Sequence, residues 1–170
     1  MTIVNLYGGP GAGKSTIAAA LFAYMKQQGY TVELVTEYAK DLVWEGRREI
    51  LSKQDYLFAK QHRRLNRLDG KVNYVITDSP LLLNIIYQPV GYFKSFSQFV
   101  AEVNCTYNNF NIFVNRTVPY ESIGRLQDSS GADDLAQRVK ETLIDLGEAF
   151  IEVNSTIGVD QLLRMIVNDE

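Results

Sequence analysis

Short apolar runs and longer amphipathic or alanine-rich segments alternate along the 170-residue chain. The apolar runs are rich in β-branched and aromatic residues and end in glycine or polar residues, a pattern typical of buried strands. They predict strands over residues 2–7, 30–35, 72–77, 111–115 and 150–153. The segments between and after them predict helices over residues 15–28, 53–69, 95–107, 133–146 and 159–167. Ser52, Ser95 and Asp133 are the predicted N-caps of the second, third and fourth of these helices. This alternation predicts an α/β fold with a parallel sheet and helices on both faces.

Composition narrows the class of protein. Hydrophobic residues make up 46% of the chain and charged residues 22%, values typical of a globular domain, and the length predicts a single domain over residues 1–170. One cysteine, Cys105, and one histidine, His62, exclude an internal disulfide and a zinc site made of several such ligands. No leader-like or membrane-spanning run is present, so we expect a cytoplasmic protein. Cys105 and the single tryptophan, Trp44, are expected in or near the core.

Charge is distributed unevenly along the chain. The formal net charge is −3, but residues 37–71 carry nine Lys or Arg against six Asp or Glu, whereas residues 117–170 carry four against eleven. An acidic protein does not coat nucleic acid in bulk, although a local basic groove remains compatible with this balance. The acidity of the second stretch is also what a solvated helix face would show.

The strongest motif is a glycine-rich loop that follows the first predicted strand and leads into a helix. It matches the pattern G-x-x-x-x-G-K-[ST], in which backbone N–H groups surround phosphates, the lysine reaches the β- and γ-phosphates and the hydroxyl binds Mg²⁺. The residues predicted to bind a nucleoside triphosphate are Gly8, Gly9, Gly11, Ala12, Gly13, Lys14, Ser15 and Thr16. Lys14 is also predicted to be catalytic.

A magnesium site is predicted where the third strand ends. Asp78 directly follows the run 72–77, and together with Ser15 it would provide the oxygen ligands for Mg²⁺. Asp78 could equally cap a helix after Pro80, and the two roles are compatible. Mg²⁺ is therefore the predicted cofactor and ATP the predicted phosphoryl donor, with GTP left open.

The acceptor side is predicted around the end of the second strand. Glu37 follows that strand directly, and the carboxyl ends of parallel strands share one edge of a sheet, so Glu37 should approach Asp78 and the phosphate loop. A carboxylate there could accept the proton of an acceptor hydroxyl. Glu37 is the first candidate for this base and Asp41 the second, with Tyr38 among the acceptor-binding residues. A surface carboxylate, or one paired with a nearby cation, is the alternative.

The helix predicted over residues 53–69 mixes aromatic, amide and arginine side chains. Gln61 and Arg64 are predicted to bind the acceptor, since such side chains suit a base with a sugar or a phosphate. An ordinary helix with an apolar core face and an arginine-rich solvent face is the alternative. His62 is interpreted as a surface or packing residue.

The polar segment over residues 117–131 is long enough to be a lid. Arg125 within it is predicted to be catalytic, because a mobile arginine can stabilise charge on a transferring phosphoryl group. Arg116 and Asn154 are predicted to contact the nucleotide, with Asn154 beside the adenine. Plain surface charge is the alternative for both arginines.

Taken together, these segments resemble the P-loop kinases of phage genomes, which are related to the nicotinamide riboside kinase and deoxynucleoside kinase branches. The resemblance rests on residues 8–16, 36–41, 59–61, 77–80 and 119–125. It implies a five-stranded parallel sheet in the order 2-3-1-4-5 and a short lid. One departure is Ser79-Pro80, where deoxynucleoside kinases usually carry an arginine after the acidic residue.

The resemblance also implies a reaction, namely transfer of the γ-phosphoryl group of ATP to a hydroxyl of a nucleoside-type acceptor. The sharpest expectation is 5-hydroxymethyluracil in phage DNA, which would make DNA a partner in the cytoplasm of the host cell. A kinase of free nucleosides or nucleoside monophosphates is the first alternative. A regulatory NTPase that is not a kinase is the second.

Overall fold

The computed structural model describes residues 1–117 and 129–168. The strands in these residues are β1 (Thr2–Tyr7), β2 (Val32–Val35), β3 (Tyr74–Thr77), β4 (Asn108–Asn115) and β5 (Ile151–Asn154). The α-helices are α1 (Lys14–Gln27), α2 (Tyr38–Trp44), α3 (Gln54–Asn66), α4 (Leu83–Tyr87), α5 (Phe96–Asn104), α6 (Ser129–Asp145) and α7 (Val159–Val167). A 3-10 helix, Arg48–Ser52, lies between α2 and α3.

The strands form one parallel sheet in the order β2-β3-β1-β4-β5. β1 is central, with Thr2 opposite Tyr74 of β3 on one side and opposite Asn108 of β4 on the other. The predicted fold class and strand order are therefore confirmed. The chain changes direction across the sheet at β1, and in such sheets the crevice at the carboxyl ends of the strands beside this point holds the ligand.

Each face of the sheet has its own apolar core, and β1 contributes to both. Leu6 packs with α1 and α7 on one face, where Leu21 and Leu162 are fully buried. Tyr7 packs on the opposite face, which α3, α4, α5 and α6 cover. All six residues of β1 are buried, since a central parallel strand is covered on both sides. The prediction of helices on both faces is thus confirmed.

Several predicted boundaries and caps are wrong. The sequence did not predict α2, α4 or the 3-10 helix. Ser52 does not cap α3, because its hydroxyl donates to the carbonyl of Glu49. Ser95 does hold the N-cap position of α5, but its side chain makes no capping hydrogen bond. Asp133 lies inside α6, which begins four residues earlier.

Two residues expected in or near the core lie at the surface. Trp44 is 68% exposed at the end of α2, and Cys105 is exposed after α5. Among the helices of the described residues, none has the length and apolarity needed to cross a bilayer.

Candidate functional site

The loop between β1 and α1 has a backbone that glycine makes possible. Gly8, Gly11 and Gly13 have φ values of 132°, 81° and 88°, in the region that other residues rarely adopt. A Cβ atom on Gly8 would also lie 2.6 Å from the carbonyl oxygen of Val114. Directly after Gly13, α1 begins, so its free N–H groups face the loop and favour an anion there.

Lys14, the first residue of α1, contacts the backbone of the loop. Its ammonium group donates to the carbonyl oxygens of Gly8 and Gly9, at 2.9 Å each. These contacts hold the cation against the loop that would surround the phosphates. The predicted phosphate-binding residues therefore form one continuous cradle.

Ser15 and Asp78 meet beside this cradle. The Ser15 hydroxyl donates to Oδ2 of Asp78 at 2.5 Å, and Asp78 is only 7% exposed. Its other oxygen, Oδ1, is buried and accepts no hydrogen bond from the described residues. A hydroxyl and an unsatisfied buried carboxylate oxygen are ligands that suit Mg²⁺. Within residues 1–117 and 129–168, no group of three or more His, Cys, Asp and Glu side chains could hold a metal, and Mg²⁺ commonly completes its shell with phosphates and water.

Glu37 lies at the junction of β2 and α2, where its extended backbone makes it the N-cap of α2. Burial raises the pKa of its carboxyl group, the positive charge of Lys14 lowers that pKa, and the negative charge of Asp78 raises it. Glu37 and Asp78 also follow neighbouring parallel strands, in which Val35 lies opposite Thr77. The structure thus brings together the three charged side chains predicted from three separate strand ends.

Gln61 holds the backbone on both sides of Glu37. Its Oε1 accepts a hydrogen bond from the N–H of Tyr38 at 3.1 Å, and its Nε2 donates to the carbonyl oxygen of Thr36 at 3.3 Å. The side chain is 3% exposed. These contacts position the turn that carries Glu37, and the predicted acceptor-binding role of Gln61 stays a prediction.

Arg64, three residues after Gln61 in α3, contacts the same segment around Glu37. Its guanidinium group donates to the carbonyl oxygen of Thr36 at 3.0 Å and to Oδ2 of Asp41 at 2.6 Å. It also lies 5.1 Å from the ring centre of Tyr38. Asp41 is therefore paired with an arginine, whereas Glu37 interacts electrostatically with Lys14 and Asp78.

The remaining predicted nucleotide contacts lie near the ends of β4 and β5. Arg116 donates to Oδ1 of Asp133 at 2.6 Å. Asn154 ends β5 opposite Asn115, and the next residue, Ser155, lies 3.4 Å from the position a Cβ on Gly13 would take. This places the end of β5 against the phosphate loop. Arg125 and most of the predicted lid lie outside the described residues.

The sequence did not single out Tyr87 or Arg138. Burial raises the pKa of the Tyr87 hydroxyl, the charge of Glu37 raises it further, and that of Arg138 lowers it. Arg138 donates to the carbonyl oxygen of Ile86, which ties α6 to α4. Tyr87, a residue that is 42% exposed at the end of α4, thus interacts electrostatically with Glu37. Neither stands in a motif, since Tyr87 ends an apolar run and Arg138 belongs to a charge-rich helix.

Comparison with known proteins fits this geometry. Residues 3–159 match the model of the AAA domain family, and the chain belongs to that family. Its fold is similar to that of the deoxyadenosine kinase from M. mycoides, solved with the products dCMP and a flexible dCDP bound. The TM-score is 0.62 at 18% sequence identity, and the match covers 99% of this chain and 98% of that one. No curated protein matches the sequence.

Proposed function

We propose that this protein is a phosphotransferase that moves the γ-phosphoryl group of ATP to a hydroxyl of a nucleoside-type acceptor. The observation that carries the proposal is the position of Glu37. Glu37 is half-buried and follows β2 at the edge of the sheet where the phosphate loop begins, while Asp78 follows the neighbouring strand β3. The pKa of the Glu37 carboxyl group is raised by burial, and the group interacts electrostatically with Lys14 and Asp78. A site that only binds nucleotide has no need of such a group.

The donor side of the proposed site consists of the glycine loop, Lys14, Ser15 and Asp78. The loop N–H groups and the Lys14 ammonium would bind the phosphates. Mg²⁺ held by Ser15 and Asp78 would supply positive charge to the β- and γ-phosphates. Oδ1 of Asp78 is buried and has no hydrogen-bond partner among the described residues, so it could bind a metal ion.

The acceptor side provides the base. Glu37 would accept the proton of the acceptor hydroxyl while the hydroxyl oxygen forms a bond to the γ-phosphorus. The bond between the γ-phosphorus and the β,γ-bridging oxygen breaks, and ADP leaves. Because burial disfavours the ionised carboxylate, Glu37 is a stronger base than an exposed glutamate. Of the two carboxylates that the sequence left open, the Arg64 ion pair of Asp41 favours Glu37.

The nature of the acceptor is the finer part of the proposal. The resemblance to phage kinases favours a hydroxymethylated pyrimidine in DNA, namely 5-hydroxymethyluracil. A base within a duplex would first have to leave the stack, or the substrate would have to be a single strand. Phosphorylation of a free nucleoside or of a nucleoside monophosphate is the alternative within the same reaction.

The proposal is tested by incubating the protein with γ-labelled ATP, Mg²⁺ and a panel of acceptors. The panel contains free nucleosides, their monophosphates, nicotinamide riboside, unmodified DNA and DNA with 5-hydroxymethyluracil. Label on one acceptor class supports the proposal and identifies the acceptor. ATP bound and slowly hydrolysed, with no labelled acceptor, would contradict the proposal and favour a regulatory NTPase.

A further inference from the structure

A pair of tyrosines lies at the surface beside Glu37. Tyr38, the next residue in the chain, and Tyr56 of α3 have their hydroxyl oxygens 2.9 Å apart. Their ring centres are 5.9 Å apart at an interplanar angle of 61°. Both side chains are half-exposed. The hydrogen bond and the edge contact fix the two rings in place, so the pair presents aromatic surface without losing further side-chain freedom.

Cations surround this pair. The Lys60 ammonium lies 5.2 Å from the ring centre of Tyr56, and the Arg64 guanidinium lies 5.1 Å from that of Tyr38. Arg47, from the loop after α2, is exposed and interacts electrostatically with both hydroxyl groups. We call Tyr38, Tyr56, Arg47 and Lys60 the aromatic–basic surface.

Two acidic side chains of α2 and its C-terminal end, Asp41 and Glu45, are paired with arginines. Asp41 is bonded to Arg64 at 2.6 Å. Glu45 lies 3.5 Å from Arg47, but both side chains are about half exposed, and such a pair contributes little and rearranges readily. The surface is thus a local region of positive charge on a chain whose net charge is −3.

We infer that the aromatic–basic surface binds a single strand of nucleic acid, with bases against the tyrosines and backbone phosphates against Arg47 and Lys60. Stacking on aromatic rings combined with a basic track is the general means by which proteins hold single strands. This inference rests on the proposed function, because the bound strand would carry the acceptor hydroxyl. Because Tyr38 directly follows Glu37, a strand held here would lead into the reaction site.

Other basic residues of the same helix region lie away from the aromatic–basic surface. Arg67 and Lys71 lie at and beyond the C-terminal end of α3, before β3 begins. That is the amino edge of the sheet, opposite the phosphate loop. A general attraction of the basic stretch for polyanions would involve these two residues as much as Arg47 and Lys60.

The test measures binding of a fluorescein-labelled single-stranded DNA of about 12 nucleotides, within the range of single-strand sites. Binding is followed by fluorescence anisotropy without ATP and without any acceptor group on the DNA. The double variant Arg47→Glu/Lys60→Glu is compared with the matched variant Arg67→Glu/Lys71→Glu, which makes the same charge change. Tyr56→Ala is compared with Tyr56→Phe, which keeps the ring. Thermal melting confirms that each variant folds.

We expect the first double variant to bind at least tenfold more weakly, and the matched one to stay within about threefold of the unmodified protein. Loss of two phosphate contacts should also reduce the slope of log K against log salt by about 1.4, at about 0.7 for each contact. Tyr56→Ala should weaken binding about tenfold, while Tyr56→Phe retains it.

Equal losses in the two double variants, or an unchanged affinity of Tyr56→Ala, would overturn the inference. So would phosphorylation of a free nucleoside by a protein that binds no strand, and that outcome would leave the proposed function intact. Strand binding that depends on the surface in a protein that phosphorylates no acceptor would support the inference and contradict the proposed function.

Discussion

The proposed site has two edges that are built in different ways. The donor edge consists of Gly8 to Ser15, and the acceptor edge consists of Glu37 and the turn that carries it. On the donor edge, Gly8 to Ser15 form a cradle from consecutive backbone groups, and its geometry depends on glycine conformations. On the acceptor edge, Gln61 and Arg64 of α3 hold the turn that carries Glu37, through contacts that span 23 to 28 residues of the chain. The first edge is local in sequence, whereas the second exists only when α2 and α3 pack together.

The two edges therefore tolerate different kinds of substitution. A backbone cradle fails when a Cβ atom is added to one of its glycines, because that atom clashes or disfavours the positive φ that the loop needs. The cradle needs few particular side chains beyond Lys14 and Ser15. A side-chain scaffold fails when one buried amide is removed, while the rest of the fold remains. The following substitutions are chosen to separate these two kinds of failure.

Lys14→Ala should produce the largest effect, and on the donor edge alone. Removing a preorganised positive group from a developing phosphoryl charge typically costs a factor of about 10² to 10³ in rate. ATP affinity should fall as well, because the ammonium lies over the loop carbonyls. Lys26→Ala, which removes an exposed lysine from the last turn of the same helix, is the control. ATP turnover and ATP affinity are both measured, and equal values for the two variants would contradict the assignment.

Gly9→Ala should destabilise the loop by crowding. A Cβ atom there would lie 2.6 Å from the carbonyl oxygen of Ala132 and 2.9 Å from the Cβ of Ala136, both in α6. Overpacking of this kind costs about 1–3 kcal/mol, so Tm and ATP affinity should both fall.

Gly29→Ala provides the contrast. Gly29 has a φ of 85°, and within the described residues an added Cβ would meet nothing within 4 Å. It should lower Tm through backbone strain but leave ATP affinity unchanged. If Gly9→Ala kept both its Tm and its ATP affinity, the packing of α6 against the loop would be wrong.

Gln61→Ala should weaken the acceptor edge while leaving the donor edge intact. It removes the bonds to the backbone of Thr36 and Tyr38 and frees the turn that carries Glu37. We expect kcat for acceptor phosphorylation to fall about tenfold, with ATP affinity unchanged, since small displacements of a base are costly.

Gln54→Ala is the matched control for Gln61→Ala. Gln54 is also a buried glutamine of α3, 5% exposed, and its amide bonds the carbonyl oxygen of Leu51 away from the site. Both variants should lose stability, by about 1–3 kcal/mol where a buried backbone group is left unpaired. A similar loss of kcat in both would show that Gln61 acts through stability alone.

The smallest effect concerns pH. Because burial raises the pKa of Glu37 above its usual 4.5, the ionised form is disfavoured in the folded protein. The stability that the protonated form contributes is present below the unfolded pKa and is lost as pH rises through the higher folded pKa. Glu37→Gln should therefore gain Tm over the unmodified protein between about pH 4 and neutrality. Tm of both proteins is measured across this range, and a difference that does not grow with pH would contradict the prediction.

The fold and the donor edge could be predicted from the sequence because their signals are local. The strand order followed from a resemblance that rests partly on Gly8 to Ser15, and β1 was predicted with its observed bounds. The helices α2 and α4 have only seven and five residues, too few for an amphipathic period to be recognised.

The acceptor edge could be predicted only in part. Glu37 was predicted from its position at a strand end, but the bonds of Gln61 and Arg64 to its turn depend on packing between α2 and α3. Tyr87 and Arg138 carry no motif, and the electrostatic interaction of Tyr87 with Glu37 depends on the position of α4. Composition indicated an aromatic and basic helix, and only the structure shows which side chains of that helix meet Tyr38.

The most direct test of the account measures ADP release with and without the acceptor identified by labelling, in the unmodified protein and in Glu37→Gln. The account predicts that the acceptor accelerates ADP release by the unmodified protein. It predicts that Glu37→Gln loses this acceleration by a factor of about 10² to 10⁴ while it still binds ATP. An acceptor-dependent rate that is the same in both proteins would contradict the central claim that Glu37 joins the two edges into one site.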